Sequence, residues 1–136
     1  MPQAMSRSVL MAAGLATLAT GLGGCGGDDV VRTDRPILRV TLDEYRIVPE
    51  NVVVKPGRVK FTVRNTGRLT HNLAVQIPEG PEGKPIDVPG GRTETMQPGE
   101  TGEPMKLTLR AGEYRLVCTI ANHDDLGQYG VLKVQR

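Results

Sequence analysis

Met105-Lys106-Leu107-Thr108-Leu109-Arg110-Ala111-Gly112-Glu113-Tyr114-Arg115-Leu116-Val117-Cys118 reads as two strands around a turn. Met105, Leu107 and Leu109 alternate with Lys106, Thr108 and Arg110; Tyr114, Leu116 and Cys118 alternate with Arg115 and Val117. A period of two sends one set of side chains to a core and the other to water. Ala111-Gly112 turns the chain between the two runs. The second run brings the Cys118 sulfur to the inner side of a strand end.

The same rhythm extends outward from this stretch. Val59, Phe61 and Val63 alternate with Lys60, Thr62 and Arg64, then stop at Asn65-Thr66-Gly67. Asn51 to Lys55 holds Val52-Val53-Val54 and ends at Pro56-Gly57, a turn pair. Further upstream, Ile37, Val40 and Leu42 are separated from Tyr45, Ile47 and Val48 by Asp43-Glu44. Leu73, Val75 and Ile77 alternate directly after His71-Asn72, and Tyr129 to Val134 makes a last strand. Nothing in this part of the chain has a 3.6-residue period with caps. Seven or eight short strands with turn signals between them predict an all-β, antiparallel β-sandwich over residues 36–136. With one Phe, three Tyr and no Trp, its core must be built mainly from Val, Ile and Leu. Residues 78–104 break the rhythm, because six of the ten prolines fall there. They read as one long surface excursion without chemistry of its own, with room for a short strand inside it.

Residues 1–24 are of another kind. A polar start with Arg7 leads into an apolar run from Val9 to Leu22, too short and too rich in Gly and Thr for a membrane-spanning helix. This is the pattern of an export signal. Leu22-Gly23-Gly24-Cys25 resembles the lipobox of bacterial lipoproteins, which implies cleavage before Cys25 and lipid on its thiol. The alternative is an ordinary secretory signal with an incidental cysteine. Residues 25–35 then read as a polar, lipid-anchored tether. The chain from Cys25 carries 16 Lys+Arg (17 less Arg7) against 15 Asp+Glu, a net +1. That is no electrostatic footprint for nucleic acid, so membrane association would come from the lipid.

With Cys25 set aside, Cys118 is the one remaining cysteine, and His71 and His123 are the only histidines. A lone thiol in an oxidising compartment is a liability unless buried or metal-bound; an inert buried cysteine is the plainer alternative. The spacing favours ligation. His71-Asn72 stands at a strand start, and Cys118, His123 and Gln128 follow one another with four residues between each. One thiolate and two imidazoles from two segments make a His₂Cys set, which selects copper and supports electron transfer. Two histidines are too few for multicopper enzymes, and both are taken up before any hydrolytic triad could use one.

These residues resemble the cupredoxins, the small blue copper proteins. The resemblance rests on Phe61-Thr62-Val63-Arg64-Asn65-Thr66-Gly67 leading to His71-Asn72, on Gly112 to Cys118, and on Asn122-His123 through Leu126-Gly127-Gln128-Tyr129-Gly130. It covers about residues 36–136 and implies a Greek-key sandwich holding one mononuclear type 1 copper on His71, Cys118 and His123. By the same resemblance, Asn72 would hydrogen-bond across the ligand loops and to the cysteine sulfur, and Thr119 would help pin the loop. Most relatives place Met where Gln128 stands; the stellacyanin-like group uses Gln as the axial oxygen donor. The alternative for Gln128 is an exposed loop residue, and for Asn72 a simple turn residue. Asp124-Asp125, beside the expected electron port at His123, either steer a cationic partner or are solvated turn residues, with Arg68 blunting their charge.

The function these features imply is a lipid-anchored, extracytoplasmic carrier of single electrons and not an enzyme. Its partners would be a redox protein, with respiratory chain components as one class, and the membrane through the lipid. Two alternatives stay open: a copper delivery protein in homeostasis, and a metal-free β-sandwich interaction module. The first lacks the Met-rich or His-rich clusters usual for Cu(I) handling, since three of the five Met lie in residues 1–24.

Overall fold

The structure, a computed structural model, describes residues 29–136. The export signal, Cys25 and residues 26–28 lie outside the described residues. Ten strands build two facing sheets. They are β1 (Val30–Thr33), β2 (Ile37–Asp43), β3 (Arg46–Val48), β4 (Asn51–Val54), β5 (Gly57–Asn65), β6 (Ala74–Ile77), β7 (Ile86–Arg92), β8 (Met105–Leu109), β9 (Gly112–Val117) and β10 (Tyr129–Val134). The first sheet has the order β1-β4-β10-β9-β6-β7, and the second β3-β2-β5-β8.

The alternation read from the sequence sets the inner faces. On β5, Val59, Phe61, Val63 and Asn65 are buried; on β2, Leu38, Val40 and Leu42; on β8, Met105, Leu107 and Leu109. The first sheet answers with Val52, Val54, Val75, Leu116, Leu132 and Val134, closing one core of Val, Leu, Ile47, Phe61 and two Met. Each such side chain stabilises the fold by roughly 1.5–3 kcal/mol when fully buried.

Four features differ from the sequence expectation. The sheets are mixed: β1 with β4, β4 with β10 and β2 with β5 run parallel. Alternation fixes which face is buried but not which strand lies alongside. The turn at Ala111-Gly112 does not make a hairpin, because β8 and β9 belong to opposite sheets. Strand pairing among the described residues already includes Val30–Thr33, ahead of Pro36, since β1 adds in register to β4 along the edge of the first sheet; those four residues of the expected 25–35 tether are strand. Finally, the 78–104 excursion contains β7, a full seven-residue strand paired with β6. Pro89 sits in it without conflict because β7 is an edge strand.

This arrangement decides where chemistry can sit. β6 pairs with β9 through Ala74 and Val117. The residues just before β6 and just after β9 therefore meet at one end of the sandwich, and the loop from β9 to β10 closes over it.

Candidate metal centre

His71 is held before it reaches β6. Its N–H and C=O both pair with the backbone of Met96, at 3.1 and 2.8 Å. Asn65, wholly buried at the end of β5, organises the approach. Its Oδ1 accepts from Gly67 N, and its Nδ2 donates to the carbonyls of Leu69 and Met96. The second half of the excursion is therefore a wall of the site and not a bare surface insertion. Thr93 Oγ1 adds to it by accepting from Leu73 N at 2.9 Å.

Cys118 follows β9 directly, and its N–H donates to the Gln128 carbonyl at 3.1 Å. Between them the chain winds on itself: His123 N bonds Ile120 O, Gln128 N bonds His123 O, and Gly127 N bonds Asp124 O. Ala121 takes a left-handed conformation (φ 47), which turns the loop back so that His123 faces the sulfur.

The three side chains converge. Cys118 Sγ lies 3.8 Å from His71 Nδ1 and 3.6 Å from His123 Nδ1. The three potential ligand atoms all fall within 4.8 Å of one another. His71 and Cys118 are 0% exposed and His123 is 9% exposed. Gln128, also 0% exposed, donates Nε2 to the carbonyls of Asp43 (2.7 Å) and Arg46 (3.3 Å). Those two acceptors fix which end of the amide is nitrogen. Its Oε1 is then left buried with no partner among the described residues. An orphaned buried acceptor costs about 1–3 kcal/mol, and native structures rarely carry one without a reason. Soft sulfur, two imidazole nitrogens and a spare amide oxygen fit the donor set of a blue copper site.

By sequence the chain matches no family model and no curated protein. Its structure does match solved ones. Reduced auracyanin from Roseiflexus castenholzii superposes with a TM-score of 0.64 at 20% identity, over 76% of this chain and 100% of that one. Rusticyanin from Thiobacillus ferrooxidans gives 0.59 at 19%, over 80% and 83%. Auracyanin A from Chloroflexus aurantiacus, described as a "blue" copper protein, gives 0.55 at 16%, over 73% and 99%. The chain has the cupredoxin fold.

Within this cupredoxin sandwich the surroundings of the site are specific to the chain. Asn72 and Thr119 lock the two ligand segments together: Asn72 Nδ2 donates to Thr119 Oγ1 at 2.9 Å, and Thr119 N donates to Asn72 Oδ1 at 2.8 Å. The cysteine sulfur is not among Asn72's partners in the described residues. Thr119 Oγ1 also accepts from Arg92 at 2.6 Å, which ties β7 to the ligand loop. The sequence reading did not find Arg92, because its position depends on β7 being a strand.

Glu44 is the second residue that sequence alone did not single out. It stands in the turn between β2 and β3, and its Oε1 lies 3.3 Å from His71 Nε2. The same oxygen accepts from Arg68 N at 2.6 Å and Leu69 N at 2.8 Å. The Leu69 N–H bond leads in holding the Glu44 carboxyl below its ordinary range; burial pushes the other way, and Arg68 N–H and His71 add to the lowering. A carboxylate can only accept, so the contact gives His71 Nε2 the donor role, while Nδ1 is the ring nitrogen that faces the sulfur. The approach leaves no room for a side chain at Gly67, where a Cβ would collide with Glu44 Oε1.

Tyr45, next along, takes a left-handed conformation (φ 44) and meets the His123 ring edge-on at 5.4 Å between centroids. Around His123 the exposed side chains include Leu126. Of the acidic pair, Asp124 is engaged by Arg115 at 3.3 Å, and the Arg115 guanidinium also lies over the Tyr129 ring. Asp125 and Arg68 are exposed. Met96 and Met105 are buried in the core; a Cβ added at Gly102 would stand 3.0 Å from the Met96 sulfur.

Proposed function

We propose that this protein binds one mononuclear type 1 copper through His71, Cys118 and His123, with Gln128 Oε1 as the axial donor, and carries single electrons between redox partners. The single observation that carries the reading is the convergence of two imidazole Nδ1 atoms on one buried thiol sulfur. When bound there, copper would supply reversible one-electron exchange. The chain's own residues supply the rest. Glu44 fixes the His71 tautomer, the Asn72–Thr119 pair holds the two ligand segments in register, and the buried Gln128 amide keeps its oxygen free. Little needs to rearrange when a bound ion changes charge, which suits electron transfer. His123 is the one proposed ligand with measurable exposure, and the exposed Leu126 beside it offers an apolar contact for a partner. Arg115 neutralises Asp124, so the pole is less acidic than Asp124-Asp125 alone suggest.

The proposal extends to location. Export, lipidation at Cys25 and a position on the outer side of the cell membrane follow from the reading of residues 1–25, and a membrane-confined carrier needs only a two-dimensional search for its partner. The mass of the mature N-terminus tests lipidation directly. The two histidines and the one cysteine of the described residues all fall in this one cluster, so carrier and not enzyme is the reading we adopt.

The decisive experiment is absorption and EPR spectroscopy of residues 26–136 after adding Cu(II). An intense visible sulfur-to-copper band with narrow hyperfine splitting is expected, and it should vanish in Cys118→Ser. A pale copper spectrum indifferent to that substitution, or tight binding of zinc alone, would remove the electron-transfer reading.

A further inference from the structure

One face of the described residues carries a set of cations with almost no acidic counterpart. The strands of the second sheet alternate buried and outward positions. The outward positions carry Arg39 on β2, Arg58, Lys60 and Arg64 on β5, and Lys106 on β8. Among the described residues none of these five cations has an ion pair. The one acidic residue at an outward position of these three strands is Asp43, already paired with Arg46 at 2.9 Å. Lys60 and Lys106 lie directly opposite each other in the antiparallel register, an arrangement that weakens a sheet. The first sheet mixes its charges: Lys133 pairs with Glu113, Arg92 with Asp87 and Arg115 with Asp124, and Arg32 on β1 is its one cation without an ion pair among the described residues. With a net charge of only +1 from Cys25 onward, the chain has segregated its charge and not merely accumulated it. A shallow groove of about 530 Å³ runs along the face between Ile37, Arg58, Lys60, Lys106 and Thr108.

The place where the chain comes in says what covers this face. Asp29 and Val31 share one groove with Arg46, Ile47 and Val48, so the described residues begin beside β3, the edge strand of the cationic sheet. Cys25 is four residues earlier, a reach of at most roughly 14 Å. A lipid on Cys25 holds the bilayer within that distance of the sheet's edge. We propose that the outer face of the second sheet, through Arg39, Arg58, Lys60, Arg64 and Lys106, lies on the anionic phospholipid surface in which the chain is anchored. Lipid phosphates supply the counter-charge that the sheet lacks, and Arg binds them bidentately. The His123 pole sits at the strand ends, so a protein lying on this face keeps the pole open sideways, toward partners in the same membrane. The choice of a membrane as occupant rests on the lipid-anchor reading; it is independent of the copper reading.

The test uses residues 26–136, which contain all ten strands and the whole core and carry no lipid. Co-sedimentation is measured with phosphatidylcholine vesicles, with and without phosphatidylglycerol, across a salt series. Binding is expected to the anionic vesicles alone and to fade as salt shortens the screening length. The triple variant Arg58→Gln, Lys60→Gln, Lys106→Gln should lose roughly a hundredfold in partitioning, about fivefold per cation. Lys133→Gln on the other sheet should leave it unchanged. Far-UV circular dichroism of each variant reports whether the fold is intact. Absence of binding at low salt, an unaffected triple variant, or retention by an acidic protein matrix without vesicle binding would each overturn the proposal. None of these outcomes bears on the copper band or on the mass of the lipidated N-terminus, which test the other readings separately.

Discussion

At His71 the two ring nitrogens face different chemistry, and that asymmetry has a measurable consequence. Nε2 donates to an anionic carboxylate whose charge is stabilised by two backbone N–H groups. A negative charge passed through the ring favours the more positive oxidation state of any ion bound at Nδ1. Glu44→Gln keeps an acceptor and removes the charge, so the reduction potential should rise, on the order of a few tens of millivolts given the solvent around Glu44. Gln128→Met replaces a hard oxygen by a soft thioether and should raise the potential further. It should also cost about 1–3 kcal/mol of stability, because the carbonyls of Asp43 and Arg46 lose their donor. Protein-film voltammetry of the two variants checks both; an unchanged potential in either would remove that residue from the account of the site. Of these residues, Gln128 was singled out from the sequence and Glu44 was not. His71, Cys118 and His123 stand out because their types are scarce and their spacing is tight. Glu44 is one of many acids, and it meets His71 only through the fold, 27 positions away.

The elements were legible in proportion to their alternation. β5, β8 and β9 announce themselves by period; β7 does not, because Pro89-Gly90-Gly91 interrupts it and it needs only β6 on one side. Once placed, β7 serves the site through Arg92, which bridges Asp87 to Thr119. Burial opposes ionisation of Asp87, but hydrogen bonds from Arg92 and Gln76 outweigh it and hold the carboxyl below its usual range. A depressed folded-state pKa stabilises the protein above the unfolded value near 3.8 and loses that contribution as pH falls through the folded value. Asp87→Asn should therefore lower stability at neutral pH by on the order of 0.5 kcal/mol, as expected for a largely solvated pair. The deficit should close in acid below the carboxylate range. Thermal melts of the variant and the parent across pH measure it; a deficit that persisted unchanged in acid would mean that the brace does not work through charge.

At the scale of the molecule, the sandwich and the site are separable. The core cluster runs between the sheets, whereas the ligand set occupies one end, on segments 71 and 118–128. The antiparallel β6–β9 pairing joins the His71 and Cys118 segments at that end, and the parallel β2–β5 pairing brings the Glu44 turn beside them; no alternation pattern could have named those partners. What the pairing provides is a site assembled by backbone hydrogen bonds and by the Asn72–Thr119 and Glu44–His71 contacts, all made by protein groups alone. The Val and Leu core and these contacts are then expected to organise the chain, in contrast to small domains that fold only around their ion. The metal-free protein should melt cooperatively with its β-sheet spectrum intact. Loading should raise the stability by RT ln(1 + [L]/Kd), about 4 kcal/mol at a thousandfold excess over Kd. That corresponds to an upward shift of roughly 10 °C or more in a domain near this size. Scanning calorimetry of metal-free and loaded protein decides it. If the metal-free chain showed no cooperative transition, the ion and not the Val–Leu core would be holding the two sheets together, and the preformed geometry at Cys118 would have to be a product of binding.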